Sequence, residues 1–272
     1  MANTYFQFKK FIVHQAHTSM KVCTDACLFG GWVAHDTTLL SANTILDIGT
    51  GTGLLSLMLA QATASNTDPA KITAIEIETE AAKEAASNFA LSPWSNNLKI
   101  VHSSLQEFSN QIIQDHLNIN HVDAAINIED SSVSMFDCII TNPPFYEGDL
   151  KSPDAKKNLA SHSVGLPWTV LVEHVSHLLK EGGSYFVLIP ALRAYTMQKL
   201  AEATGLQLME EVLVHNTAKM LPIRAMQKFI KPSPEQKEQG SVVKRSKIFI
   251  KDADNQYDAH FTALLKDYYL QF

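Results

Sequence analysis

Cysteine is scarce in this 272-residue chain. There are three, Cys23, Cys27 and Cys138, too few for a disulfide scaffold and suited to a reducing compartment. Glycine (11) and proline (10) are also few, which excludes collagen-like and low-complexity readings. No stretch approaches the roughly 20 apolar residues that a membrane span needs. The start, MANTYFQFKKF, lacks the apolar segment and small-residue cleavage site of a secretory leader. An excess of positive charge is missing too: 22 Lys and Arg stand against 28 Asp and Glu, a net charge of −6. A protein that holds nucleic acid through its overall field is basic, so any such role here rests on a local patch or a partner. Of the residues present, 46% are hydrophobic, and a chain this long buries roughly three quarters of its unfolded surface. The expectation is a globular, intracellular, cytoplasmic protein.

Short apolar runs alternate with helical patterns through most of the chain. The runs are Thr44–Ile48, Ile72–Ile77, Leu98–Val101, Phe136–Ile140 and Tyr185–Ile189. They show little alternation, as strands buried on both faces of a parallel sheet do. Helices are predicted over Leu54–Gln61, Thr79–Phe89, Leu105–Asp115, Trp168–Leu179 and Ala194–Ala203. This alternation predicts a doubly wound α/β domain. Leu206–His215 and Ala225–Ile230 read as an antiparallel pair. Lys231–Ser241 reads as a loop, Val242–Ile250 as an edge strand and Thr262–Phe272 as a C-terminal helix. Thr63–Ala70 and Asn118–Ser134 read as surface loops.

A strand runs into a glycine turn at Leu46–Leu54, L-D-I-G-T-G-T-G-L. Glycines allow the tight turn and let a ligand approach the backbone. Asp47 precedes Gly49, Gly51 and Gly53, and the second strand ends in Glu76. A carboxylate there has two acceptor oxygens for the hydroxyls of a ribose. No lysine follows the glycines, which disfavours a P-loop. The pattern suits a ligand with a ribose and an amino-acid tail, such as S-adenosylmethionine, better than NAD.

The fourth strand ends in Asn142-Pro143-Pro144-Phe145. Two prolines stop the sheet, since each lacks a backbone N–H. The Asn142 side-chain carbonyl and a neighbouring backbone carbonyl make an acceptor pair, and Phe145 a stacking face. Such a site fits an amide or exocyclic amine that donates two hydrogens. Holding those hydrogens out of the ring plane restores lone-pair character to an adenine amine. Attack on a sulfonium methyl group then needs positioning more than a strong base.

Together these motifs resemble class I S-adenosylmethionine-dependent methyltransferases that act on amine or amide nitrogen. F-x-F-K-K-F-x-V…M-K-V-x-T-D-x-x-L-F-G-G-W from Phe6 to Trp32, Ser92-Pro93-Trp94, and Y-x-x-x-F-T-A-L-x-x-x-Y-Y-L from Tyr257 to Leu270 are similar to the tRNA1(Val) adenine-37 N6-methyltransferase family. The resemblance covers essentially the whole chain. It implies a Rossmann-like class I fold, mostly parallel with an antiparallel C-terminal pair, in a single methyltransferase domain. Residues 1–43 would cover the cofactor and substrate, 44–230 form the core and 231–272 extend it. It further implies an S-adenosylmethionine pocket lined by Asp47, Gly49, Gly51, Gly53, Glu76 and Asn142. Lys21, Thr24 and Asp25 would lie over the cofactor, and Asn142, Pro143, Pro144 and Phe145 would hold the adenine. Two departures stand out: Ser104 occupies the place of the acidic residue that usually holds the cofactor adenine, and Phe145 replaces a common tyrosine. The rival readings are a protein glutamine N5-methyltransferase, an rRNA adenine or guanine methyltransferase, and a non-catalytic cofactor-binding module.

Smaller signals read more simply. Cys23 with Cys27, and His174 with His177, lack the further ligands of a metal site. Lys151, Lys156 and Lys157, and Lys244, Arg245, Lys247 and Lys251, are basic clusters that would meet phosphates in a tRNA enzyme. Tyr268, Tyr269 and Phe272 are expected to close a core.

Overall fold

The computed structural model describes residues 3–18, 20–120, 136–144, 166–234 and 242–272, with the backbone alone at 116–120. The chain opens with a small hairpin, β1 (Tyr5–Gln7) and β2 (Ile12–His14), and two helices, α1 (Thr24–Ala34) and α2 (Thr37–Leu40). Alternation follows: β3 (Thr44–Ile48), α3 (Leu54–Thr63), β4 (Lys71–Glu76), α4 (Thr79–Ala90), β5 (Leu98–His102), α5 (Leu105–Asn120) and β6 (Phe136–Thr141). After it come α6 (Trp168–Leu178), β7 (Leu179–Pro190), α7 (Ala194–Ala203), β8 (Gln207–His215), β9 (Pro222–Ile230), β10 (Lys244–Phe249) and α8 (Ala259–Leu265).

Eight strands form one sheet in the order β10-β8-β9-β7-β6-β3-β4-β5. β9 pairs antiparallel with both β7 and β8, while every other pairing is parallel. The sheet is therefore mostly parallel with an antiparallel C-terminal pair, as expected. Its strands are buried on both faces. In β7, Phe186 and Leu188 pack toward α1, α3 and α8, whereas Tyr185, Val187 and Ile189 pack toward α5, α6 and α7. Successive side chains point to opposite faces, so an apolar run without polar alternation serves two cores.

Two elements differ from the sequence expectation. Helix α5 runs past Asp115 to Asn120, into the stretch read as a loop from Asn118; residues 121–135 lie outside the described set. The C-terminal helix starts earlier and stops sooner than Thr262–Phe272. Asp258 caps its start by accepting from the His260 N–H at 2.8 Å, and the chain turns after Leu265. The aromatics beyond it then close a core, as expected: Tyr268 and Tyr269 are buried, and Phe8 pairs with Tyr269 across the chain ends. β10 is indeed an edge strand, and it adds to β8 in parallel.

Helix α1 was not foreseen. Eight of its eleven residues are buried, so it carries no polar face for a helical period to reveal. Its Gly30 and Gly31 permit close packing. A Cβ on Gly30 would lie 2.6 Å from the Met58 Sδ of α3, and one on Gly31 2.8 Å from the Leu264 carbonyl of α8.

Candidate active site

The site is assembled where three neighbouring strands end. In register, Ile48 of β3 faces Ile75 of β4 on one side and Thr141 of β6 on the other. The next residues along, Glu76, Gly49 and Asn142, therefore form a row across the carboxyl edge of the sheet, spanning roughly 10 Å at ordinary strand spacing. Open α/β sheets bind their ligands at this edge. Thr141 fixes the row by donating from its hydroxyl to the Ile48 carbonyl at 2.8 Å.

The glycine loop needs its glycines. Gly49, Gly51 and Gly53 have φ of 70°, 58° and 83°, a region that side chains disfavour. A Cβ on Gly49 or Gly51 would meet nothing within 4 Å, whereas one on Gly53 would strike the Phe89 ring at 2.5 Å. The first two thus face open space into which a ligand can come close, and the third packs the loop on α4.

Asp47 is fully buried beneath this loop. Its Oδ2 accepts from the Thr50 hydroxyl at 2.6 Å, the Ser56 hydroxyl at 2.7 Å and the Ser56 N–H at 3.2 Å. Its Oδ1 is buried with no partner. Burial pushes the carboxyl up to about 6, against the Thr50 and Ser56 hydrogen bonds that lower it, with the Glu76 charge adding to the rise. Glu76 holds the loop from the other side. Its Oε2 accepts from the Gly51 N–H at 2.9 Å, and its Oε1 from the Ile77 and Glu78 N–H groups, each at 2.9 Å. A carboxylate has about four lone-pair sites, so acceptor capacity remains for a ribose.

Asn142 follows the last residue of β6. Its side-chain Oδ1 is buried and lacks a hydrogen-bond donor. Buried carbonyls are rarely left so, and an orphaned acceptor at a ligand-binding edge is poised for a donor brought by a ligand. Pro143 is buried and Pro144 exposed. Phe145 lies outside the described residues, as do Lys151, Lys156 and Lys157.

The orphaned oxygens of Asp47 and Asn142, the open space over Gly49 and Gly51, and the acceptor at Glu76 fit a ligand carrying a ribose and an amino-acid tail. These acceptors complement the hydroxyl and amine donors of such a ligand.

The N-terminal segment is tied to α4 by two residues that the sequence reading missed, Glu84 and Asn88, and through Asn88 to this loop. Asn88 Oδ1 accepts from the His14 N–H at 2.9 Å. Its Nδ2 donates to the His14 carbonyl at 2.9 Å and to the Thr52 carbonyl at 2.8 Å. Glu84 accepts from the His17 and Thr18 N–H groups at 3.1 and 3.0 Å. The spacing of four places both on one helix face, which is the signal that could have found them.

The other expected residues are placed as follows. Lys21 Nζ donates to the Gln15 carbonyl, and Thr24 opens α1. Asp25 Oδ2 accepts from Arg224 Nε at 2.8 Å, an ion pair between α1 and β9. Ser104 caps α5 instead of standing free: its hydroxyl donates to Glu107 Oε2 at 2.8 Å and accepts from the Glu107 N–H at 3.2 Å, a reciprocal cap. Burial raises the Cys23 and Cys27 thiols to about 12 and raises Cys138 further still, so the thiols stay protonated. Among the described residues no three His, Cys, Asp or Glu side chains cluster as metal ligands, His174 and His177 included. Lys244 pairs with Glu210 at 2.9 Å and Arg245 with Glu211 at 3.4 Å. Lys247 and Lys251 lie over the Phe249 and Tyr257 rings.

Comparison with known proteins gives this arrangement a context. The methyltransferase small domain family matches residues 34–205. The chain is 34% identical to a Dyadobacter fermentans protein named tRNA1(Val) (adenine(37)-N6)-methyltransferase, over 99% of each chain. It is 35% identical to a Cytophaga hutchinsonii protein of the same name, again over 99% of each. A Pseudoalteromonas translucida protein of that name is 32% identical over 98% of each chain. Among solved structures, an Agrobacterium tumefaciens protein described as a predicted O-methyltransferase superposes with a TM-score of 0.59 at 15% identity, covering 89% of this chain and 96% of that one. A Listeria monocytogenes protein described as a class I S-adenosylmethionine-dependent methyltransferase gives 0.56 at 12%, covering 93% and 71%. These two likenesses bear on the fold.

Proposed function

The chain belongs to the tRNA1(Val) (adenine(37)-N6)-methyltransferase family, and from that premise we propose that it methylates the exocyclic N6 amine of an adenosine in the tRNA anticodon loop, position 37 of tRNA1(Val). The observation that carries the reading is the row of Glu76, Gly49 and Asn142 with an orphaned acceptor on Asn142. S-adenosylmethionine, when bound, supplies an electrophilic methyl group on a sulfonium sulfur. Glu76 would accept its ribose hydroxyls. The glycine backbone admits its tail, with Asp47 beneath the loop and Lys21, Thr24 and Asp25 on the N-terminal cover. The reciprocal cap on Ser104 makes it a weak adenine contact, since its hydroxyl is already engaged with Glu107.

Asn142 would accept a hydrogen bond from the adenine amine and hold that hydrogen out of the ring plane, which withdraws the nitrogen lone pair from the ring's π system. Pro143 and Pro144 would hold that strand end stiff, and Phe145, next in sequence, would supply the ring that stacks on the base. No ionised base is needed at the nitrogen itself, because positioning supplies much of the acceleration. An anticodon-loop base is already single-stranded and is the cheapest to unstack into such a pocket. Among the described residues no helix is long and apolar enough to cross a membrane, and a tRNA substrate places the activity in the cytoplasm.

Lys244, Arg245 and Lys247 lie on the outer edge strand, four strands from β6, and two of them already face carboxylates. They are outlying phosphate contacts at most, with Lys151, Lys156 and Lys157 the nearer candidates by sequence. The reading is tested by incubating the protein with labelled S-adenosylmethionine and, in parallel, unmodified tRNA, rRNA and a peptide-release factor. N6-methyladenosine in tRNA alone is expected. Label in rRNA or in a glutamine side chain overturns the substrate.

A further inference from the structure

Four of the most exposed large apolar side chains lie together at the carboxyl edge of the sheet. Leu192 is 95% exposed, Leu221 85%, Tyr195 70% and Met220 52%. They come from two chain segments that the sheet makes neighbours. Pro190, the last residue of β7, faces Arg224 of β9. Leu192 and Tyr195 follow Pro190 directly, in the turn and first helical residues of α7. Met220 and Leu221 directly precede Pro222, where β9 begins. Gln227 Nε2 of β9 donates to the Ala194 carbonyl at 3.1 Å and ties the start of α7 to that strand.

The patch adjoins the proposed adenine pocket. β7 is the strand next to β6, with Val187 facing Thr141, so the chain beyond Pro190 emerges on the same edge as Asn142 and farther out. Cations lie in and beside the patch, with Lys199 also paired to Glu202 at 2.8 Å. Lys199 Nζ stands 5.6 Å from the Tyr195 ring centre, and Lys219, exposed, precedes Met220. An aromatic ring and aliphatic side chains interleaved with cations make a surface on which bases stack and phosphates are neutralised. It would also provide locally the positive contacts that the acidic chain lacks overall.

We infer that Leu192, Tyr195, Met220 and Leu221 form a docking surface for the anticodon-loop nucleotides flanking the target adenine, with a neighbouring base stacked on Tyr195; this rests on the tRNA reading above. The test uses an unmodified RNA hairpin carrying an adenosine 3′ of the anticodon and the variants Tyr195→Ala, Tyr195→Phe and Leu221→Ser. KM for the hairpin, Kd for S-adenosylhomocysteine and Tm are measured for each. Tyr195→Ala is expected to raise KM roughly 5- to 150-fold, the effect of losing one stacked base. Tyr195→Phe should stay near the unsubstituted protein, and Kd and Tm should not move, because these side chains are exposed. An unchanged KM in both Tyr195→Ala and Leu221→Ser, with the unsubstituted protein active, assigns the patch to something other than RNA and overturns the inference. Inactivity of the unsubstituted protein on both the hairpin and whole tRNA instead overturns the tRNA reading, and the docking surface with it.

Discussion

The side-chain carbonyl of Asn142 is buried without a donor, so its fold-stabilising value is nil or negative, and the use we propose for it is to accept from a ligand. Asn142→Ala should therefore lower kcat for methyl transfer by roughly 100- to 1,000-fold or more, while the affinity for S-adenosylhomocysteine changes little. Turnover close to that of the unsubstituted protein sinks the mechanism. Asp47 makes a second prediction. In the folded protein its carboxyl is pushed up to about 6 from an ordinary value of 3.8. Between those pH values the folded state holds more protons than the unfolded one, so this group's contribution to stability falls as pH rises through that window. Asp47→Asn removes the titration. The difference in unfolding free energy should shift toward the variant from about pH 4 to 6, by at most about 1.4 kcal/mol per pH unit, and level off above. Denaturant titrations showing a constant difference over that range contradict it.

At the scale of elements, α4 joins the N-terminal segment to the glycine loop through Asn88, which holds both His14 and Thr52. Asn88→Ala leaves the buried Thr52 carbonyl and the part-buried His14 backbone groups without this partner, at a cost of about 2–4 kcal/mol. It should also weaken cofactor binding, because Thr52 lies within the loop; calorimetric titration with S-adenosylhomocysteine checks this, and an unchanged Kd refutes the link. Gly31→Ala forces α1 off the Leu264 carbonyl, and thermal unfolding should show a loss of about 1–3 kcal/mol. The strands and the helices of the alternating core were legible in the sequence because apolar runs and helical periods are local patterns. So were the glycine turn and the N-P-P stop. Helix α1 was not, because a helix buried on nearly all sides has no period. The spacing of Glu84 and Asn88 is local, but the partners of Asn88 are not, and Asp25 meets Arg224 199 residues away; such tertiary pairings leave no local pattern. Ser104 and Glu107 do carry a local trace, the S-x-x-E of a reciprocal cap, at the place where an acidic residue usually stands.

For the molecule as a whole, the fold gathers the residues of the proposed site at one edge of the sheet. The chain ends are tied together by aromatics on the face covered by α1, α3 and α8, and β10 extends the sheet away from the site. The glycine loop, Glu76 and Asn142 share the remaining edge with the apolar patch after β7. The account's central claim is that this edge transfers a methyl group to an adenine amine in tRNA. The most direct measurement is nucleoside analysis of unmodified tRNA after incubation with the protein and labelled S-adenosylmethionine, beside the Asn142→Ala variant. The account predicts label in N6-methyladenosine, from the anticodon loop of a valine tRNA, and none with the variant. Label in any other nucleoside, or equal labelling by the variant, contradicts it.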